Sequence, residues 1–324
     1  MKHSLILSFG LVLSLASAAG QTTAVGANPD ILEDLSSLSR NASKFTVSKP
    51  MLVETDAFPG FTREMIRVEW RNDDPIYLFV ILPAEKCDPK AIRPREATKP
   101  PVILYLLSFP TDTDRFFDEE FCKILAKNGF AAVGFVSALT GHRYHDRPMR
   151  EWFVSELREA LVKTAHDVSF VLDYLSTRGD VDMTRVGMFG EGSGGTIAIL
   201  AASADPRLKA IDLLDPWGAW SDWFAQSPIV PEDERPDFLK AEFLQNLALV
   251  DPVNQLPQMK SLQIRYQYVA DAAATPQRAR DRVQTALPKQ ARVVGQKDAR
   301  AAFEASGGAD LFDWIKEQVR NSNR

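Results

Sequence analysis

Val186-Gly187-Met188-Phe189-Gly190-Glu191-Gly192-Ser193-Gly194-Gly195-Thr196-Ile197-Ala198 decides how the rest of this chain is read. An apolar run, Val186 to Phe189, enters a glycine cluster, and an alanine-rich stretch, Ile197 to Ala202, leaves it. That order predicts a strand, a turn too tight for side chains, and a helix. A turn of this kind needs small residues two before and two after its central position, because the returning helix passes close to the strand. Gly190-Glu191-Gly192-Ser193-Gly194 supplies them and puts Gly192 at the centre. Centring the turn on Ser193 would put Glu191 where a small residue must sit.

The stretch resembles the nucleophile elbow of the α/β-hydrolase superfamily, nearest the dienelactone-hydrolase and prolyl-oligopeptidase-like branches. The resemblance covers roughly residues 60 to 320 and implies acyl transfer by a nucleophile, an acid and a histidine, in that chain order. At the nucleophile position stands Gly192, without a side chain, with the hydroxyl of Ser193 beside it. By resemblance Asp271, which follows the apolar strand ending Tyr268-Val269-Ala270, takes the acid's place. A loop aspartate is also a common turn or helix cap, and Thr275-Pro276 opens a helix just beyond. The histidine has no counterpart. The four in the chain are His3, His142, His145 and His166, and none follows Ser193. The base would fall between Gly295 and Gly308, where the chain reads Gln296-Lys297-Asp298-Ala299-Arg300-Ala301-Ala302-Phe303. An ordinary lysine there is protonated near neutrality and cannot take a serine proton. The implied oxyanion hole uses the N–H of Ser193 and one from Leu107-Ser108-Phe109-Pro110, where Phe109 can donate and Pro110 cannot.

A second polar cluster, Gly141-His142-Arg143-Tyr144-His145-Asp146-Arg147, follows the expected fourth strand of that fold. It admits two sharp readings. One is a rewired site with Ser193 as nucleophile and His142 or His145 as base. The other is a metal site of His142, His145, Asp146 and Glu191, although His-x-x-His in a loop is a weak zinc signature and no metal is assigned. The plain alternative is a hydrogen-bonded loop in which Arg143 and Arg147 pair with carboxylates.

The 324 residues, 45% hydrophobic and 25% charged, suit one large globular domain. A net charge of −5 gives no electrostatic case for nucleic acid or anionic membrane. Lys2 and His3 precede the apolar segment Leu5 to Leu15, which ends in Ala-Ser-Ala-Ala-Gly-Gln. This predicts a secretory signal over 1–20 and a secreted or periplasmic protein, the apolar segment being too short to span a bilayer. Cys87 and Cys122 could form one disulfide or remain two buried thiols. Asn41-Ala42-Ser43 fits a glycosylation sequon.

After the signal, 21–50 reads as a loose leader with one short helix near Ile31 to Leu38, and 51–324 as the folded domain. Met65 to Trp70 alternates, Ile76 to Leu82 is apolar, and Asn72-Asp73-Asp74-Pro75 joins them as a hairpin. Strands and helices then alternate: strands at Val102–Leu107, Phe130–Val136, Leu208–Leu214, Leu262–Tyr268 and Ala291–Val294, and helices at Phe116–Asn128, Glu151–Ser176 and Ala309–Arg320. The expected fold is α/β: a mostly parallel sheet with helices on both faces, a leading antiparallel hairpin and a small cap insertion at about 215–258. In that insertion Trp217, Trp220 and Trp223 either line a ligand site or pack the cap onto the sheet, and Phe238 to Val250 reads as an amphipathic helix. The function expected is that of an exported hydrolase-fold protein acting by binding a small ester or peptide; the alternative is an active hydrolase using the rewired site. No cofactor signature is present, and nothing speaks to oligomeric state.

Overall fold

The computed structural model describes residues 33–40, 49–71, 74–84, 99–107, 109, 114–139, 143, 148–270, 274–298, 301 and 309–321. Nine strands form one sheet in the order β1-β2-β3-β5-β4-β6-β7-β8-β9. They are β1 Met51–Phe58, β2 Phe61–Val68, β3 Ile76–Pro83, β4 Pro101–Leu106, β5 Ala131–Phe135, β6 Asp182–Glu191, β7 Leu208–Leu214, β8 Gln263–Val269 and β9 Arg292–Gln296. From β4 onward the neighbours run parallel; β1, β2 and β3 form an antiparallel meander that joins through β3 to β5. The antiparallel lead is thus one strand longer than the expected hairpin, because Met51 to Phe58 pairs with β2 as an edge strand that stays largely exposed.

Parallel strands need crossover helices, and the helices cover both faces. They are α1 Glu119–Lys127, α2 Met149–Ser176, α3 Ser193–Ala204, α4 Trp220–Gln226, α5 Arg235–Phe238, α6 Ala241–Asn246, α7 Pro252–Gln255, α8 Gln277–Ala286 and α9 Ala309–Asn321. On one face α2 and α3 bury Leu161, Val168, Leu172, Ile197 and Leu200 against Leu104, Val133 and Met188. On the other, Cys122 and Leu125 of α1 and Ile315 and Val319 of α9 close over Tyr105, Phe189 and Ala210. The central strands read as unbroken apolar runs because both faces are covered.

Two expectations are corrected here. The single helix over Phe238 to Val250 is instead α5, α6 and a 3-10 turn, Leu247–Val250, broken where Lys240 takes an extended ψ of 135°. Past these elements Asp251 accepts from the amides of Ala219 and Trp220, at 2.9 and 3.3 Å, and so ties the chain back onto the start of α4. Residues 33–40 form turns rather than a helix, and Leu38 is buried against the core. Residues 1–32, including the expected export signal, and the sequon at 41–43 lie outside the described residues.

Candidate functional site

β6 ends at Glu191, α3 begins at Ser193, and Gly192 between them has φ 52° and ψ −117°. A positive φ is a conformation that side-chain-bearing residues adopt only under strain. The crossing of strand and helix is tight. A Cβ on Gly190 would lie 2.6 Å from the Gly195 nitrogen and nearer still to the Gly194 carbonyl, and one on Gly194 would lie 2.9 Å from the Leu107 carbonyl. Gly192 N–H donates to Leu214 O at 2.9 Å, and Gly192 O accepts from the amides of Thr196 at 3.1 Å and Trp217 at 3.3 Å. The end of β7, the chain just past it and the first turn of α3 therefore fix the apex.

Gly192 is buried, and so is Ser193 beside it. Ser193 is fully buried as the first residue of α3, and its Oγ accepts the Phe109 N–H at 2.8 Å. One of the two backbone donors expected of an oxyanion hole, the Phe109 amide, is thus directed at the Ser193 side-chain oxygen. The Phe109 ring packs among Trp152, Phe153 and Trp217, with centroids 5.9, 6.5 and 6.2 Å away.

Two carboxylates flank the apex. Glu191 is in register with Leu214, so Asp215, the next residue, lies beside Gly192. Burial holds the Glu191 carboxyl above its ordinary range, against the positive charge of Arg115. Burial also pushes Asp215 up to about 6, with the Val269 N–H and Arg280 opposing and the Glu191 charge adding to the rise. Asp215 stands at φ 44°, its Oδ2 accepting from Val269 N–H at 3.0 Å and its Oδ1 3.9 Å from Arg280 Nε. A perturbed carboxylate on a strained backbone at the carboxyl edge of a parallel sheet makes Asp215 a candidate functional residue. Sequence reading missed Asp215. Its only local signal is an aspartate before a proline at the end of an apolar run, which is also a turn signal.

No known family model matches the sequence, and no curated protein matches it. Solved structures do match in shape. An acetyl xylan esterase from Paenibacillus sp. superposes with a TM-score of 0.61 at 15% identity, covering 85% of this chain and 89% of that one. Acetyl xylan esterase 1 from Thermoanaerobacterium sp. gives 0.58 at 13%, covering 85% and 88%. An acylaminoacyl peptidase from Pyrococcus horikoshii gives 0.60 at 13%, over 81% of this chain and 42% of that longer one. The chain has the α/β-hydrolase fold.

Within the α/β-hydrolase fold the other sequence-expected residues take these places. Asp271, His142, His145, Asp146 and Arg147 lie outside the described residues, as does Cys87. The ends of the loop that carries Asp271 are held by Arg280, whose Nη1 and Nη2 donate to Ala270 O at 3.3 Å and Thr275 O at 3.1 Å. Arg143 pairs with Asp74 at 2.7 Å and Asp167 at 2.8 Å. His166, which the long helix offers as a surface or packing residue, is a packing residue: it is fully buried, its Nδ1 2.6 Å from Glu33 Oε1 and its Nε2 2.9 Å from Ser37 O. Trp217, Trp220 and Trp223 are 3%, 2% and 0% exposed and pack on one another and on Phe224, so they fasten the insertion rather than line an open surface. Cys122 is buried with its Sγ donating to Phe116 O at 3.2 Å, and burial pushes its thiol up to about 11. Among the described residues no three His, Cys, Asp or Glu side chains gather as a metal site would require, and no helix is long and apolar enough to cross a membrane.

Proposed function

We propose that this is an exported α/β-hydrolase-fold protein that lacks serine-hydrolase turnover and acts by binding a small ester or peptide at the carboxyl edge of its sheet. The observation that carries the reading is the backbone of Gly192, which keeps the strained apex with no side chain to attack from it. Acyl transfer needs a hydroxyl or thiol there and a base within about 3 Å. The nearest hydroxyl, Ser193, is buried and engaged with Phe109. No histidine follows it in the chain. Glu191 and Asp215 make the edge acidic, which favours a neutral or cationic ligand over an anionic one. The export part of the proposal rests on the basic start, the short apolar segment and the small residues over 1–20.

The test is labelling of the exported protein with a fluorophosphonate probe, alongside turnover of aryl esters by the wild type and by Gly192→Ser. No labelling and no turnover are expected of the wild type. Gly192→Ser alone should not restore turnover, since the new hydroxyl lacks its histidine. Robust hydrolysis lost in Ser193→Ala and in His142→Ala or His145→Ala would replace this reading with an active enzyme of rewired site. Exported protein still beginning at Met1 would remove the signal peptide.

A further inference from the structure

The segment Glu33–Arg40 lies along one face of α2 and is fastened at both ends. At its start Glu33 accepts from Arg71, Nε at 2.6 Å and Nη2 at 2.5 Å, and meets His166 Nδ1. At its end Arg40 pairs with Asp173 and lies 4.8 Å over the ring of Phe170. Between them Ser37 O meets His166 Nε2, and Leu38 enters the core. The contact residues on the helix, His166, Phe170 and Asp173, are three or four apart, which is the spacing of one helical face.

The start of the segment is also the first member of a longer ionic chain. Arg71, gripped by Glu33, aims Nη1 at Asp167, a fully buried carboxylate that also accepts from Trp70 Nε1 at 2.8 Å. Arg143 Nη1 reaches the other Asp167 oxygen at 2.8 Å and Val136 O, just past β5, at 3.2 Å. Arg143 Nη2 holds Asp74 at 2.7 Å, and Arg71 Nη1 stands 3.7 Å from the same Asp74 oxygen. The two arginines therefore share two carboxylates, and Glu33 decides how they are shared. With its Nε edge held, Arg71 points at Asp167 and leaves Asp74 to Arg143. Released from Glu33, Arg71 is free to close its 3.7 Å gap to Asp74, and the hold of Arg143 on that carboxylate weakens. Buried charges with few alternatives respond to such a change by moving together.

We propose that Glu33–Arg40 is a strap, latched at Glu33, whose docking on α2 holds Arg143 and with it the carboxyl end of β5, one of the strands that open onto the candidate site. Strap and strand end should then open as one cooperative unit, although about a hundred residues separate them in sequence. Any processing of the chain that removed Glu33 would release both.

The test is native-state hydrogen exchange on the full exported protein, comparing segments 33–40, 131–139 and 263–269. In low denaturant 33–40 and 131–139 should exchange through one opening, with matching protection and matching denaturant dependence, while 263–269 stays more protected. Glu33→Gln should raise exchange of 33–40 and 131–139 together by about tenfold, the scale of one charge-assisted hydrogen bond. Arg40→Ala, which cuts the far end of the strap and touches no member of the ionic chain, should raise exchange of 33–40 and 131–139 together, by less than Glu33→Gln. Exchange changes confined to 33–40 in Glu33→Gln, or unrelated openings of the two segments in the wild type, would overturn the proposal. The wild-type comparison decides the matter even if Glu33→Gln fails to fold.

Discussion

Asp215 combines a left-handed backbone, φ 44°, with a carboxyl whose burial pushes it from its ordinary 3.8 up to about 6. Between those two values the folded protein holds a proton that the unfolded chain has released, so stability falls as pH climbs through that range and stays lower above it. Asp215→Asn removes the charge, keeps an acceptor for Val269 N–H, and suits the left-handed region. It is expected to stabilise the protein by about 1–2 kcal/mol at pH 8, less than the full shift implies because the side chain keeps some solvent contact. Thermal unfolding from pH 3.5 to 8 checks this: the advantage should vanish below about pH 4. An advantage constant with pH would mean that backbone strain, not ionisation, is relieved. Ser193→Ala tests the other side of the apex. It removes the hydroxyl that accepts from the Phe109 N–H, and loss of one part-buried hydrogen bond costs about 1 kcal/mol. Urea unfolding should show that loss, with esterase activity as absent as before; an unchanged midpoint would mean that water replaces the hydroxyl.

The elbow was legible from sequence because its requirement is steric and local. Glycines at 190, 192, 194 and 195 are what a strand folding back into a helix at this distance demands. Gly194→Ala would drive a Cβ against the Leu106 and Leu107 carbonyls, backbone that cannot swing aside, so a loss of at least about 3 kcal/mol or of soluble protein is expected. Circular dichroism melts of Gly194→Ala beside Gly179→Ala, where nothing crowds the new Cβ, check it; equal melts would mean the crossing is looser than its distances say. The carboxylate beside the apex was not legible, because it depends on the register of β6 against β7, which places Asp215 next to Gly192 and is invisible along the chain. The insertion was half legible. Its tryptophans are conspicuous at spacing three, but neither the break at Lys240 nor the reach of Asp251 back to α4, a contact across the insertion, shows in the apolar pattern.

At the scale of the whole molecule, what the sequence hid most completely is the ionic chain from Glu33 to Arg143. Its members come from the leader, the hairpin, α2 and the loop after β5, and Glu33 and His166 meet across 133 residues. No periodicity reports a contact of that length; a histidine within an apolar helix face looks the same whether it meets solvent or a docked strap. Asp167 sits at the centre, fully buried, and burial alone would raise its carboxyl, yet Arg71 and Arg143 overcome that and hold it below its ordinary range. Glu33 is lowered likewise by Arg71 and His166 against its own burial. Carboxylates lowered in the folded state contribute stability that is fully present above their unfolded values and is lost as pH falls through the folded ones. Asp167→Asn keeps the shape but leaves two buried guanidinium groups short of an anion, and is expected to cost about 3–5 kcal/mol at pH 7. Protonation of Asp167 does the same to the wild type, so the gap between wild type and variant should narrow as pH drops below about 4. Asp215→Asn has a gap of opposite sign that closes over a higher range, between about 6 and 3.8, because there the folded carboxyl is raised and here it is lowered. Urea titrations of both variants at pH 3.5 and pH 7 separate the two cases. If the Asp167→Asn deficit persists undiminished at pH 3.5, the loss comes from repacking of the amide, and the ionic chain is not what holds strap, hairpin and helix together.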